Sequence, residues 1–148
     1  MDEQDLTMFA VFNEIGIINQ LSSAVFQARL PEGLHISHFT VLNHLVRLGD
    51  GRTPLAIANA FQVPKTTMTH TLAGLEKRGL ITMAPNPDDG RSKVVRITDA
   101  GRATRDTAIA TMADPIRKIR DGFGEEVVTA LLPQLQALRE FLDRNRDL

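Results

Sequence analysis

The sequence predicts a mainly α (α+β) fold in which long helices at both ends of the chain enclose shorter helices and one two-stranded hairpin. Three observations carry this. Apolar residues recur at three- and four-residue spacing through both ends of the chain. Between them, marked start and stop signals cut out short helices. The turn formers Asn86-Pro87-Asp88-Asp89-Gly90 then separate two short runs of strand-like composition. With 148 residues and 43% hydrophobic content, the chain can bury a core and fits one domain or a small pair.

From Leu6 to about Leu30, one apolar stripe holds Leu6, Phe9, Ala10, Ile17, Leu21 and Val25, and a second holds Val11, Ile15, Ile18 and Phe26. A helix apolar on two sides must be covered on two sides, which at the end of a small chain points to a second subunit. Pro31 and Gly33 end it. Ser37 offers an N-cap for a helix carrying Phe39, Leu42, Leu45, Val46 and Leu48, closed by Gly49-Asp50-Gly51-Arg52. Thr53 is an N-cap with Pro54 at the first helical position, where its missing N–H costs nothing. After Phe61 and the connection Gln62-Val63-Pro64, Met68, Leu72 and Leu75 make the inner face of a further helix. Lys77, Arg78 and Gly79 give that helix a cationic last turn and a glycine cap.

Leu80 to Ala84 and Lys93 to Ile97 read as strands, which presents Arg91 near the tip of the hairpin between them. Beyond Thr98 a helix is expected to about Phe123 with Ile109, Met112, Ile116 and Ile119 inward. Another is expected from Glu125 to about Arg144 with Val128, Leu131, Leu135, Leu138 and Leu142 inward. Pro115 and Pro133 lie inside these patterns and are expected to kink or divide them.

The absence of cysteine excludes disulfides, thiolate metal sites and thiol redox switches. The start MDEQDL is acidic, and no apolar run approaches the roughly 18 residues that span a bilayer. The expectation is therefore no signal peptide, no membrane helix and a cytoplasmic location. The formal net charge of -1 hides an uneven distribution. Residues 1–61 carry 3 Lys/Arg against 6 Asp/Glu, residues 62–105 carry 8 against 4, and residues 106–148 carry 6 against 8. A basic middle between acidic flanks suits a nucleic-acid reader, although a merely solvated basic surface would look the same.

Lys65, Thr66, Thr69, His70 and Ala73 are left largely on the outer face of that helix, a short, polar and nearly uncharged face with a cluster of four threonines (66, 67, 69 and 71). Threonine is poor helix-forming material for a surface, but short hydroxyl and imidazole side chains can approach base edges where long charged ones would hold a helix off. Two helices joined by a tight turn, the second with such a face, suggest a helix-turn-helix, with an ordinary packed helical hairpin as the competing reading. The hairpin that follows converts this into a winged helix.

At this point the sequence resembles the MarR-type transcriptional regulators. The resemblance rests on the wing motif Asp89-Gly90-Arg91, the following Ile97-Thr98-Asp99-Ala100-Gly101, and the helix VPKTTMTHTLAGLEKRGLI. It implies a winged helix-turn-helix at 37–98, a dimerisation helix at 1–36, and C-terminal helices at 99–148 completing a homodimer interface. It also implies a recognition helix in each major groove and a wing in each flanking minor groove of double-stranded DNA. By position, Lys65, Thr66, Thr67, Thr69 and His70 would meet bases and nearby phosphates, and Arg91 would enter the minor groove. Asp89, with Gly90, would shape the wing, and Ser92, Lys93 and Arg96 would add backbone contacts. A narrow minor groove focuses negative potential and so attracts an arginine. An ion pair of Arg91 with Asp88 or Asp89 is the competing assignment.

Pro64 stands where the family often has a serine cap, leaving the helix start to proline's fixed φ, and Asn86 replaces a frequent aspartate. The family also implies a small aromatic or anionic effector, for which the sequence marks no pocket, and no cofactor. His35 and His38 have a spacing that could suit a metal, but no carboxylate or thiolate completes a set, so no metal site is assigned. No nucleophile elbow, phosphate loop or paired carboxylates appear, and no catalytic residue is assigned. The second functional expectation is a winged-helix protein-interaction module without DNA affinity.

Overall fold

The computed structural model describes residues 2–148. These form two compact units, one ending at Thr111 and a second spanning Met112–Leu148. The first holds α1 (Glu3–Gln27), α2 (Ile36–Leu48), α3 (Pro54–Phe61), α4 (Lys65–Lys77), β1 (Ile81–Asn86), β2 (Asp89–Ile97) and α5 (Asp99–Ala110). The second holds α6 (Ala113–Phe123) and α7 (Glu125–Arg144).

The core of the first unit forms where α2, α3, α4 and the hairpin converge. Leu42, Leu45, Ile57, Leu72, Leu75, Ile81 and Val95 are all fully buried there. Met68, Leu72 and Leu75 of α4 face inward as their spacing predicts. Thr71 departs from the expected outer cluster. It lies on the buried side, where its hydroxyl is satisfied by donating to the Thr67 carbonyl at 3.2 Å.

Caps explain most element boundaries. The Thr53 hydroxyl accepts from Ala56 N–H at 3.2 Å, with Pro54 just inside α3. Thr98 caps α5 by accepting from Gly101 N–H at 3.0 Å, while its own hydroxyl donates to the Gly79 carbonyl at 2.7 Å. The expected Ser37 cap is not the one used. α2 starts at Ile36, with His35 as N-cap, because His35 N–H donates to His38 Nδ1 at 3.1 Å and Gln27 Oε1 accepts from Ile36 N–H at 3.0 Å. The same Gln27 amide donates to the Leu34 carbonyl at 3.0 Å, and Phe26 meets Phe39 edge-on at 4.5 Å, so the end of α1 is fastened to α2.

Most of α1 is not covered. Phe9 is 64% and Leu21 66% exposed, and the helix buries no residue. By length and composition alone α1 is also apolar enough to cross a membrane. Uncharged Asn, Gln and Ser interleave its apolar residues, so no continuous apolar run marks it in the sequence. The residues expected inward on the last helices are likewise open: Ile116, Ile119, Val128, Leu131 and Leu135 are exposed, as is Ile109 on α5. Apolar faces of this kind need a cover that one chain does not supply. The single helix expected after Thr98 is divided at Thr111 and Met112, placing Pro115 in the first turn of α6, where its missing N–H is tolerated. α7 instead continues through Pro133.

Candidate nucleic-acid interface

α4 begins without a side-chain cap: Pro64 precedes it in extended conformation, so the first-turn N–H groups are left to solvent or to a ligand. Lys65, Thr66, Thr67, Thr69 and His70 are exposed on its outer surface. Their hydroxyls are not equivalent. Thr69 donates to the Lys65 carbonyl at 2.8 Å, which leaves its oxygen as an acceptor only.

The strands pair antiparallel from Ile81 with Ile97 to Pro85 with Lys93, and then the register jumps so that Asn86 pairs with Asp89. Both strands extend further toward the turn than composition suggested. The turn itself is Pro87-Asp88, closed by Asp88 N–H donating to Asn86 Oδ1 at 3.0 Å. Arg91 is therefore not at the tip. It is the middle residue of the three, Gly90 to Ser92, that β2 inserts at the register shift, a bulge that turns it out of the ladder.

Three side chains fix that bulge. Asp89 Oδ1 accepts from Arg91 N–H at 3.0 Å, Ser92 donates its hydroxyl to the Asp89 carbonyl at 3.2 Å, and Asn86 Nδ2 donates to Ser92 Oγ at 2.9 Å. Ser92 thus spends its hydroxyl within the wing instead of offering it outward. Gly90 has no positive φ, and a Cβ there would meet nothing within 4 Å, so its backbone does not require glycine. The Arg91 guanidinium forms no ion pair among the described residues, and the competing ion-pair assignment fails; Arg91 stays exposed. Lys93 and Arg96 are exposed further down β2.

The base of the wing has a third strand segment that the sequence did not reveal. Arg52 pairs with Val95, with Val95 N–H donating to the Arg52 carbonyl at 2.8 Å and Gly51 N–H to the Val95 carbonyl at 3.0 Å. Asp50 Oδ1 also accepts from Ile97 N–H at 2.9 Å. The Gly-Asp-Gly-Arg segment therefore both ends α2 and stitches it to the wing. Only its density in turn formers was legible, because the pairing spans more than forty residues of chain.

Two histidines behind the interface are held neutral. His38, 9% exposed, has its pKa lowered by burial and then by the neighbouring charges of His35, Arg78 and His70. His44 is lowered by burial and then by Arg52 and Arg47; it packs on Phe61 with ring centroids 5.0 Å apart. Among the described residues no three His, Asp or Glu side chains gather as metal ligands.

The sequence model of the MarR family matches residues 32–92. The chain is 30% identical over 115 residues to the HTH-type transcriptional regulator PecS of Dickeya dadantii (strain 3937), covering 76% of this chain and 69% of PecS. The transcriptional regulator BldR of Sulfolobus solfataricus shares the fold with a TM-score of 0.78 at 24% identity, over 97% of this chain and 99% of BldR. A mutant MarR from E. coli, solved in complex with operator DNA, superposes with a TM-score of 0.73 at 21% identity, over 93% of this chain and 99% of that one. The helix-turn-helix, the bulged wing stitched to it and the relationship to PecS together place the chain in the MarR family of winged-helix transcriptional regulators.

Proposed function

We propose that the protein regulates transcription as a homodimer that binds a pseudo-palindromic operator with half-sites about one helical turn, ~10 bp, apart. The observation that carries this is the pairing of α4's exposed polar face with an unpaired, outward-turned Arg91 in the basic middle of the chain. Thr66, Thr67, Thr69 and His70 meet base edges and phosphates in the major groove; Lys65 and the uncapped start of α4 take a phosphate. Arg91 enters the minor groove, Lys93 and Arg96 contact the backbone, and Ser92 with Asp89 supports Arg91 from behind. The open apolar face of α1, and separately those of α6 and α7, supply the surfaces a second copy covers. The protein acts in the cytoplasm, where its DNA is, as a repressor released by a small aromatic or anionic effector.

Fluorescence polarisation on labelled duplex tests the reading. Neutralising about five to eight phosphates per dimer gives a log–log salt slope of roughly minus 4 to minus 7, and a flat dependence refutes it. Arg91→Ala weakens binding with little change in preferred sequence; unchanged affinity shows that the wing does not engage.

A further inference from the structure

Beside the DNA-facing side of α4 lies an open cleft of about 610 Å³ that the operator reading touches only through His70. Its wall on one side is His35 and His38 at the start of α2; on the other are His70 and Lys77 of α4, with Arg78 at the helix end. Five nitrogen-bearing, cation-forming side chains thus converge, and no carboxylate lines the cleft. The nearest acid along α4, Glu76, is committed elsewhere, since its Oε1 accepts from Met83 N–H at 3.2 Å. Neither Lys77 nor Arg78 forms an ion pair among the described residues.

The donors are also oriented. His38 Nδ1 accepts from His35 N–H, so its proton resides on Nε2, which lies against Gly74, where an added Cβ would sit only 2.7 Å from it. Gly74 therefore makes room for this ring at the cleft. Arg78 is anchored by donating to the Gly33 carbonyl, which holds its charge at the rim. Burial first, and then the charges of His35, Arg78 and His70, lower the His38 pKa, so these groups lie within electrostatic reach of it. The Lys77 and Arg78 cations, set beside histidine N–H donors with no counter-charge in the cleft, make a preformed site for an anion with several acceptor oxygens.

We propose that this cleft binds a phosphate-type oxyanion. The chemistry is shared by two sources: a backbone phosphate of the bound duplex, beyond the contacts assigned above, or a free phosphate that competes for the same side of α4. The first source rests on the operator reading and the second does not.

Imidazole NMR resonances of the full chain, assigned with single histidine variants, are followed while inorganic phosphate is titrated against chloride at equal ionic strength. In parallel, the salt slope on random duplex is measured for the parent, Lys77→Gln and, as a control on α6, Lys118→Gln. Saturable shifts at His35, His38 and His70, absent at His44 and lost in Lys77→Gln, establish the free-anion source. No shift with phosphate, but a slope about 1 unit shallower and affinity three- to tenfold weaker in Lys77→Gln alone, establishes the duplex phosphate. Neither effect, or equal shifts at His44, or the same slope change in Lys118→Gln, overturns the proposal. A flat salt slope in the parent would sink the operator reading, and the phosphate titration would then decide the cleft on its own.

Discussion

At Gly101 the first turn of α5 lies against Leu80, which leads into β1, and Ile97 at the end of β2. A Cβ there would stand 2.8 Å from Ile97 Cγ1 and closer still to the Leu80 carbonyl oxygen. Leu80 cannot retreat, because its carbonyl accepts from Thr98 N–H at 3.1 Å and the Gly79 carbonyl beside it accepts the Thr98 hydroxyl. Gly101→Ala must therefore open the Ile97 contact by about 0.6 Å to reach ordinary packing, and the Leu80 contact by more. Overpacking of this kind costs about 3 kcal/mol, against which alanine's better helix propensity returns about 1 kcal/mol. The net ~2 kcal/mol corresponds to a Tm lower by about 6 °C for a chain of this size. Calorimetry is the assay, with Gly90→Ala as the comparison, since Gly90 has ordinary φ and open surroundings. If Gly101→Ala melts with Gly90→Ala, the close approach at the wing base is wrong. The same displacement tilts the wing, so operator affinity falls with it.

Acidification should destabilise the fold. His38 and His44 both have folded pKa values below the ordinary 6.5, so the unfolded chain takes up more protons once pH drops under that value. Stability is complete above about pH 6.5 and declines below it; a Tm that rises from pH 7.5 to 5.5 would contradict this. Thr69→Ala removes an acceptor-only oxygen and should relax preference at one base that offers an amino group, with site selection returning an altered consensus; an unchanged consensus removes Thr69 from the reading face. Leu21→Glu charges an apolar position of α1 that is 66% exposed in the single chain, so it should leave folding intact and yield a monomer by light scattering; a persistent dimer would place the interface elsewhere.

Elements governed by local chemistry were legible in the sequence. The Met68, Leu72 and Leu75 period, the Thr53-Pro54 start of α3 and the Thr98 cap each follow from residues a few positions apart. Partners further away in sequence were not. Gln27 displaces Ser37 from the start of α2 by reaching nine residues forward, and Arg52 joins the wing by pairing with Val95. Thr71 misled because a hydroxyl can satisfy itself on its own helix and then pack as an apolar group would. Arg91 was found by composition, but its position behind the turn follows from Asn86 and Ser92 closing on each other, which no period announces. The apolar stripes of α1 were legible, and so was their need for cover, because exposure in one chain is what remains when the covering surface belongs to another.

Gln27 uses both ends of its amide on the approach to α2, accepting from Ile36 N–H and donating to the Leu34 carbonyl. Sliding or rolling α1 would break two hydrogen bonds and the Phe26–Phe39 contact together, so helix and loop move as one lever. Arg78 fastens the far end of α4 to Gly33 on that same loop. The loop that carries Gly33 is therefore held from both sides, by Gln27 and the Phe26–Phe39 contact on one and by Arg78 on the other, so the long first helix and the reading helix share one anchor.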